Sequence, residues 1–261
     1  MTIETIIIGL FCRIDNRFGA VPKEPLGHLY PSEIVTLGLL FALKGSNGRA
    51  YYRWLSRNWR HLFPKLPERS RLFRLFNAYR DLTDELLADT SIFGVVDSFG
   101  IEIVHPMREH RSNGQIGRKD LSNHRWIVGA KLCVVLNHLG LPVSWACGEA
   151  NLPDQAFHDL IAEFDGEMLI LGDSGFHAAT GDPANLIICQ RGERNYRMVV
   201  EIFFSLLQGV LSMKRLGHRS WDGLAAHIAY ALAVITVLVQ WDGLSSDENG
   251  FVRLSIADFS L

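Results

Sequence analysis

Three carboxylates, Asp97, Asp173 and Glu201, are distinguished by what surrounds them. Asp97 closes the apolar run 92–97, and Asp173 follows the run 168–171 through Gly172. Both runs have strand length, and acids at strand ends face the crevice where open α/β sheets bind ligands. Glu201 sits between Val199, Val200, Ile202, Phe203 and Phe204 in a helical stretch, with Arg197 one turn earlier on the same face. Two carboxylates about 4 Å apart repel by roughly 4 kcal/mol at an effective dielectric near 20. One of a converging set therefore takes up a proton unless cations intervene. Two divalent ions held there activate a water or a 3′-hydroxyl and stabilise the leaving oxygen of an in-line displacement at phosphorus. Hard oxygen donors favour Mg²⁺ or Mn²⁺. Taken singly, an aspartate after a strand is more often a turn or helix cap, and Glu201 is as readily the ion-pair partner of Arg197. The order strand, strand, helix carries the expectation.

The elements that must position these acids follow from periodicity. Residues up to about 90 read as helical. Ser32 and Glu33 open one helix that stops at Gly45, Tyr51, Trp54, Leu55 and Trp59 share the spacing of a second, and 68–79 form a third with Leu72, Leu75 and Phe76 inward. Beyond 91 the pattern changes. Strands are expected at 92–97, with Ile101, Ile103 and Val104 as an extension, and at 126–136 and 141–146 as a hairpin. A helix is expected at 154–164, strands at 168–171 and 186–189, and helices at 195–213 and 221–241, the last packing behind the one before. This is an α/β order with a mixed sheet flanked by helices, preceded by a helical N-terminal region. The division expected is a DNA-binding portion at 1–90 and a catalytic portion at 91–261.

Composition sets the partners. The 261 residues are 48% hydrophobic and 21% charged, which suits a buried core, and the net charge of -2 gives no argument from overall basicity. Between Lys44 and Arg80, however, ten basic residues meet only Glu68. Interleaved with Tyr51, Tyr52, Trp54 and Trp59, this excess points to a polyanion, and Arg49, Arg53 and Arg57 are the candidate DNA contacts. The segment 108–125 reads as a basic loop beside the first acidic strand, with Arg108, Arg111, Arg118, Lys119 and Arg125 as phosphate contacts or simply as a solvated loop. Lys214 and Arg215 offer further contacts or satisfy a helix C-terminus. The four cysteines have no C-x-x-C spacing, which excludes zinc ribbons and fits a reducing cytoplasm. Residues 6–12 lack the basic flank of a signal peptide, and 224–241 reads as a buried core helix, so no membrane is expected. Gly172-Asp173-Ser174-Gly175 has the form of a serine-protease nucleophile segment, but no all-β pattern surrounds it.

At its acids the chain resembles bacterial insertion-sequence transposases of the DDE superfamily. The matching segments are Val95-Val96-Asp97-Ser98, Gly129-Ala130-Lys131-Leu132, Leu171-Gly172-Asp173-Ser174-Gly175-Phe176 and Arg197-x-x-Val200-Glu201-x-x-x-Ser205-Leu206, with Arg49-Ala-Tyr-Tyr-Arg53 and Leu62-Phe-Pro before them. The resemblance implies an RNase H-like fold in which Asp97, Asp173 and Glu201 ligate two Mg²⁺ (or Mn²⁺) ions. Arg197 would then touch phosphate or support the ligands. It further implies recognition of terminal inverted repeats in double-stranded DNA, strand cleavage, transfer to target DNA, action as a homodimer and a place on the bacterial nucleoid. The interval from Asp173 to Glu201 is short for that family. The alternatives are a related nuclease without strand transfer and an inactive DNA-binding relic.

Overall fold

A computed structural model describes residues 1–122, 125–189 and 195–244, with 254, 256, 259 and 261; for 195–197 it describes the backbone alone. Helix α1 (Ile3–Phe18) buries Ile6, Ile7, Leu10, Ile14 and Phe18 at helical spacing. Helix α2 (Pro31–Lys44) is apolar nearly all round and ends at Gly45, whose φ of 58° is the left-handed conformation a side chain resists. Its start differs from the sequence expectation. Glu33 accepts the Tyr30 N–H at 2.7 Å, so Tyr30 is the cap, while Ser32 inside the first turn donates to Asp15 at 2.7 Å and ties α2 to α1. Helices α3 (Gly48–Asn58) and α4 (Arg69–Ala78) follow, then a 3₁₀ segment over Arg80–Leu86.

The aromatic residues among the arginines turn inward. Tyr51 is buried and donates to the Leu37 carbonyl at 2.7 Å, Tyr52 donates to the Pro67 carbonyl at 2.9 Å, and Trp54 and Trp59 are half-buried against one another. They hold the helices together and do not stand beside the arginines as a stacking surface.

The sheet begins with β1 (Phe93–Val104), which runs well past Asp97. Strand β2 (Arg118–Ser122) lies in the segment expected to be a loop; its polar sequence RKDLS gives no apolar alternation, and its ladder to β3 (Arg125–Asn137) makes it a strand. Strand β4 (Pro142–Glu149) completes the expected hairpin with β3. After α5 (His158–Ala162) come β5 (Leu169–Gly172) and β6 (Leu186–Ile188). The order is β2-β3-β1-β5-β6, with β4 on the same edge of β3 as β2 but farther along it. β3 is antiparallel to both β1 and β4, whereas β1, β5 and β6 run parallel.

Alternation assigns the two faces. Val95, Phe99 and Ile101 of β1, with Ala130, Leu132, Val134 and Leu136 of β3, join one core with α1–α4, α6 (Asn195–Gly209) and α7 (Trp221–Asp242). Val96, Cys133, Val135 and Ile170 face the other way, onto Phe157, Leu160, Ile161 and Phe176. The molecule is thus a mixed α/β sheet flanked by helices, and the first core runs on into the N-terminal helices.

Helix α7 is long and apolar enough to cross a membrane, yet 83% of its apolar window is buried within the protein. It packs chiefly on α2, α4, the 80–86 segment and β4, and not behind α6. A helix apolar on all sides needs neighbours on all sides, and the N-terminal helices supply them. Tyr230 of α7 donates to the Phe76 carbonyl at 3.2 Å.

His227 of α7 is 4% exposed, with Nδ1 2.9 Å from His218 Nε2. Burial pushes His227 down to about 3, with the His218 charge adding to it, and pushes His218 down to about 4. Both lie below the ordinary value of 6.5, so on acidification the unfolded chain takes up these protons first. The stability present above pH 6.5 is lost progressively down to about pH 3. We expect the unfolding midpoint to fall by about 5–10 °C between about pH 6.5 and 4, and His227→Leu to flatten that decline in calorimetry. Equal declines in both proteins would contradict it.

Candidate active site

Strand β1 is paired with β3 along nearly its whole length, but β5 covers its other edge only from Phe93 to Val95. At Glu102 the edge is taken up again: the Glu102 N–H donates to the Lys214 carbonyl at 3.1 Å, and the Leu216 N–H donates to the Glu102 carbonyl at 2.8 Å. Between these two closures the edge is open, and a cleft of about 870 Å³ occupies the gap. Asp97, Ser98, Phe99 and Gly100 line it from β1.

The register decides which acids meet there. β1 pairs with β5 as Gly94 with Ile170 and Val95 with Leu171. β5 ends at Gly172, and both Asp97 and the next residue, Asp173, line the cleft there, Asp97 on the face of β1 that carries Val95. Asp97 thus lies within its strand and not at its end, as expected from the apolar run; Asp173 does follow its strand. From the same face α6 presents Glu201, Phe204, Ser205, Gln208 and Gly209, at the spacing of one helical stripe. Phe204 packs on Phe99 with ring centroids 4.8 Å apart, which fixes α6 over β1. Glu201 is exposed at the rim.

Two further acids line the cleft that the sequence did not single out, Asp154 and Asp120. Asp154 begins a 3₁₀ turn and read as a helix-start acid. Its Oδ1 accepts from the Ser98 hydroxyl at 2.6 Å and from Lys131 Nζ at 3.2 Å, across the sheet edge from Asp97. Lys131 lies within a segment that carried the resemblance; for Asp120, on polar β2, no signal was present. A Cβ placed on Gly175 would stand 2.7 Å from Asp154 Oδ2 and 3.0 Å from Asp173 Oδ1, so the absence of a side chain there lets the two carboxylates approach from either side. Five acids and two lysines, Lys131 and Lys214, therefore face one cleft. Their field reaches Cys133 beneath, whose thiol is pushed well up by burial first and then by the charges of Asp154 and Asp97.

The oxygen-only donor set suits a hard divalent ion in kind. As the side chains lie, no three acids among the described residues stand close enough together to enclose one ion. Local donors hold them instead: Asp97 Oδ1 accepts the Ser98 N–H at 2.7 Å, and Asp173 Oδ1 accepts the Gly175 N–H at 2.9 Å. His177, near Asp173 in sequence, pairs with Asp182 at 2.8 Å and does not line the cleft.

The basic candidates are dispersed. Lys214 lines the acidic cleft, and Arg49 and Arg215 line a neighbouring one. Arg53 and Arg57 are exposed on α3, and Arg108 and Arg111 are exposed between β1 and β2. Arg118 pairs with Glu149 at 3.3 Å and Lys119 with Glu109 at 3.8 Å, while Arg125 pairs with Glu102, which also meets Arg215 at 3.4 Å. The residues expected to form a DNA-tracking loop are thus in part tied to carboxylates of the sheet. The side chain of Arg197 lies outside the described residues. Comparison with models of known protein families, with curated proteins and with solved structures finds no match for this chain.

Proposed function

We propose that this chain is a metal-dependent polynucleotidyl transferase of the DDE type, acting on double-stranded DNA at the acidic cleft. The observation that carries the reading is that Asp97 of β1 and Asp173, just past β5, line one cleft that Glu201 also reaches from α6. A strand order β4-β3-β1-β5-β6, antiparallel in its first three members and parallel in its last three, with helices on both faces, supports an RNase H-like assignment.

Asp97 and Asp173 would hold divalent ions from the sheet, and Glu201 from the helix. Bound there, Mg²⁺ or Mn²⁺ supplies activation of a water or 3′-hydroxyl and stabilisation of the leaving oxygen. The chain's own residues do the rest. The Lys131–Asp154–Ser98 network braces the far wall of the cleft, and Lys214 offers a cation to a phosphate beside the reacting one. Ser205 and Gln208, one turn and two turns beyond Glu201, present polar groups to the strand that lies over α6.

Incubation with supercoiled plasmid and a labelled oligonucleotide duplex in Mn²⁺ tests the proposal. Nicking abolished by a chelator is expected, together with labelled DNA joined to plasmid. Nicking without joined product would demote the protein to a nuclease, and neither would leave a DNA-binding relic. Gly175→Ala is expected to lower nicking by about tenfold, equivalent to about 1.4 kcal/mol. Its methyl group displaces two carboxylate ends and no backbone, so thermal unfolding should barely move.

A further inference from the structure

Next to the acidic cleft lies another, of about 570 Å³, that the proposed chemistry does not use. Three segments distant in sequence build it: the turn into α3 (Ser46, Asn47, Gly48, Arg49), Arg69 at the start of α4, and residues between α6 and α7. Four arginines line it, Arg49, Arg69, Arg215 and Arg219, and no carboxylate does. Arg215 has Glu102 as a partner at 3.4 Å, but among the described residues no carboxylate pairs with Arg49, Arg69 or Arg219.

Two other features of the walls suit an anion. The first-turn N–H groups of a helix have no intrahelical acceptor, and α3 opens on this cleft with Asn47 as its cap, Oδ1 accepting the Ala50 N–H at 3.0 Å. His227 also lines the cleft, and its buried Nε2 has no hydrogen-bond partner. If His218 Nε2 donates to His227 Nδ1, the unpartnered nitrogen is an N–H, a donor that an anion or its water shell would satisfy. Ser46 Oγ, on the same wall, is likewise without a partner.

We infer that this cleft seats a backbone phosphate of the DNA whose reacting phosphate lies in the acidic cleft. The inference rests on the DNA reading above for its occupant and on the arginines for its charge. The geometry linking the two clefts is the segment after α6: Lys214 lines the acidic cleft, and the next residue, Arg215, lines the basic one. The two clefts therefore share this segment as a common wall. The segment is held in place by its backbone bonds to Glu102 on β1, which makes it a fixed spacer between a cutting site and an anchoring site.

Equilibrium binding of a fluorescent DNA duplex, measured in chelator so that no metal chemistry enters, tests this. Arg49→Gln, Arg69→Gln and Arg219→Gln are each expected to weaken binding by about tenfold and to lower the slope of log affinity against log salt by about one. Arg74→Gln, the same charge change at an exposed residue outside this cleft, should change affinity less than about twofold. Unchanged affinity in the three variants would overturn the inference, as would an equal loss in Arg74→Gln. Inorganic phosphate is titrated in parallel: tight binding of phosphate, lost in the variants while duplex binding persists, would reassign the cleft to a free anion. Because binding and nicking are read separately, a protein that never nicks but loses duplex affinity in these variants would retain the anchoring site and lose only the proposed catalysis.

Discussion

Asp97→Asn is expected to fold as the parent does and to lose metal-dependent nicking by about a thousandfold, an effect of about 4 kcal/mol on the barrier. Asparagine keeps the shape of the side chain and an oxygen able to accept the Ser98 N–H, so the local turn of the backbone survives. What disappears is the negative charge, in the cleft that it shares with Asp173 and Asp154. A neutral amide both binds a divalent ion more weakly and leaves the reacting oxygens less well stabilised. The side chain is only partly buried, so the substitution should change stability by less than about 1 kcal/mol. Initial nicking rates in Mn²⁺, with thermal unfolding as the control for folding, read the two effects separately. Retention of more than a tenth of the parent rate would remove Asp97 from the reaction and the metal reading with it.

The second large effect is on stability. Gly129 of β3 sits opposite Glu102 on β1 at an irregularity in their register, between Glu102 and Val104. A Cβ there would lie 1.8 Å from the Ile101 carbonyl oxygen, 2.9 Å from its carbon and 3.1 Å from the Ile103 nitrogen. All three are backbone atoms, so no flexible side chain can yield; the strands must part. On the far side the Gly129 carbonyl already lies against Gly117, whose φ of 84° is itself a conformation suited to glycine. We expect Gly129→Ala to cost about 3 kcal/mol and to lower the unfolding midpoint by about 6–12 °C. Because the same joint holds β2 with Asp120, and Glu102 with the segment carrying Lys214, nicking should fall alongside stability. A midpoint within about 2 °C of the parent would mean that the strands accommodate the methyl group without separating.

Much of the architecture was legible in the chain before any contact was known. Apolar runs of strand length at 92–97, 126–136, 141–146, 168–171 and 186–189 all became strands, and helical periodicity located α2 through α4, α6 and α7 to within a few residues. These patterns are local: a residue's burial follows from the period of its own segment. The expected carboxylates Asp97, Asp173 and Glu201 do line one cleft, because each was recognisable as an acid attached to an apolar element that the core must bury.

Where the expectations failed, the deciding interactions were distant in sequence. The polar segment 118–122 is a strand only because β3 offers it an edge, and β1 continues through Ser98, Phe99 and Gly100 because β3 pairs with it there. Arg118 and Arg125 read as phosphate contacts or as part of a solvated loop, and which carboxylates stand beside them, Glu149 of β4 and Glu102 of β1, was set by the sheet. Asp154 was expected only as the first residue of a helix at 154–164, and only the folding of its 3₁₀ turn over the sheet edge brings it to Ser98 and Lys131. Helix α7 looked like the neighbour of α6, and its all-round apolar surface took it to α2 instead.

By itself, then, the amino-acid sequence determined most of the strands and helices, β2 excepted, and the acids Asp97, Asp173 and Glu201 attached to them, since both are set by neighbours within one or two turns of chain. Tertiary structure alone decided that Asp97, Asp173 and Glu201 share one cleft, that Asp120 and Asp154 join them, and that arginines from α3, α4 and the segment before α7 converge on a second cleft. The physical reason is the same in each case. Strand register and inter-helix packing are selected by the burial of whole faces at once, and no single segment carries that information.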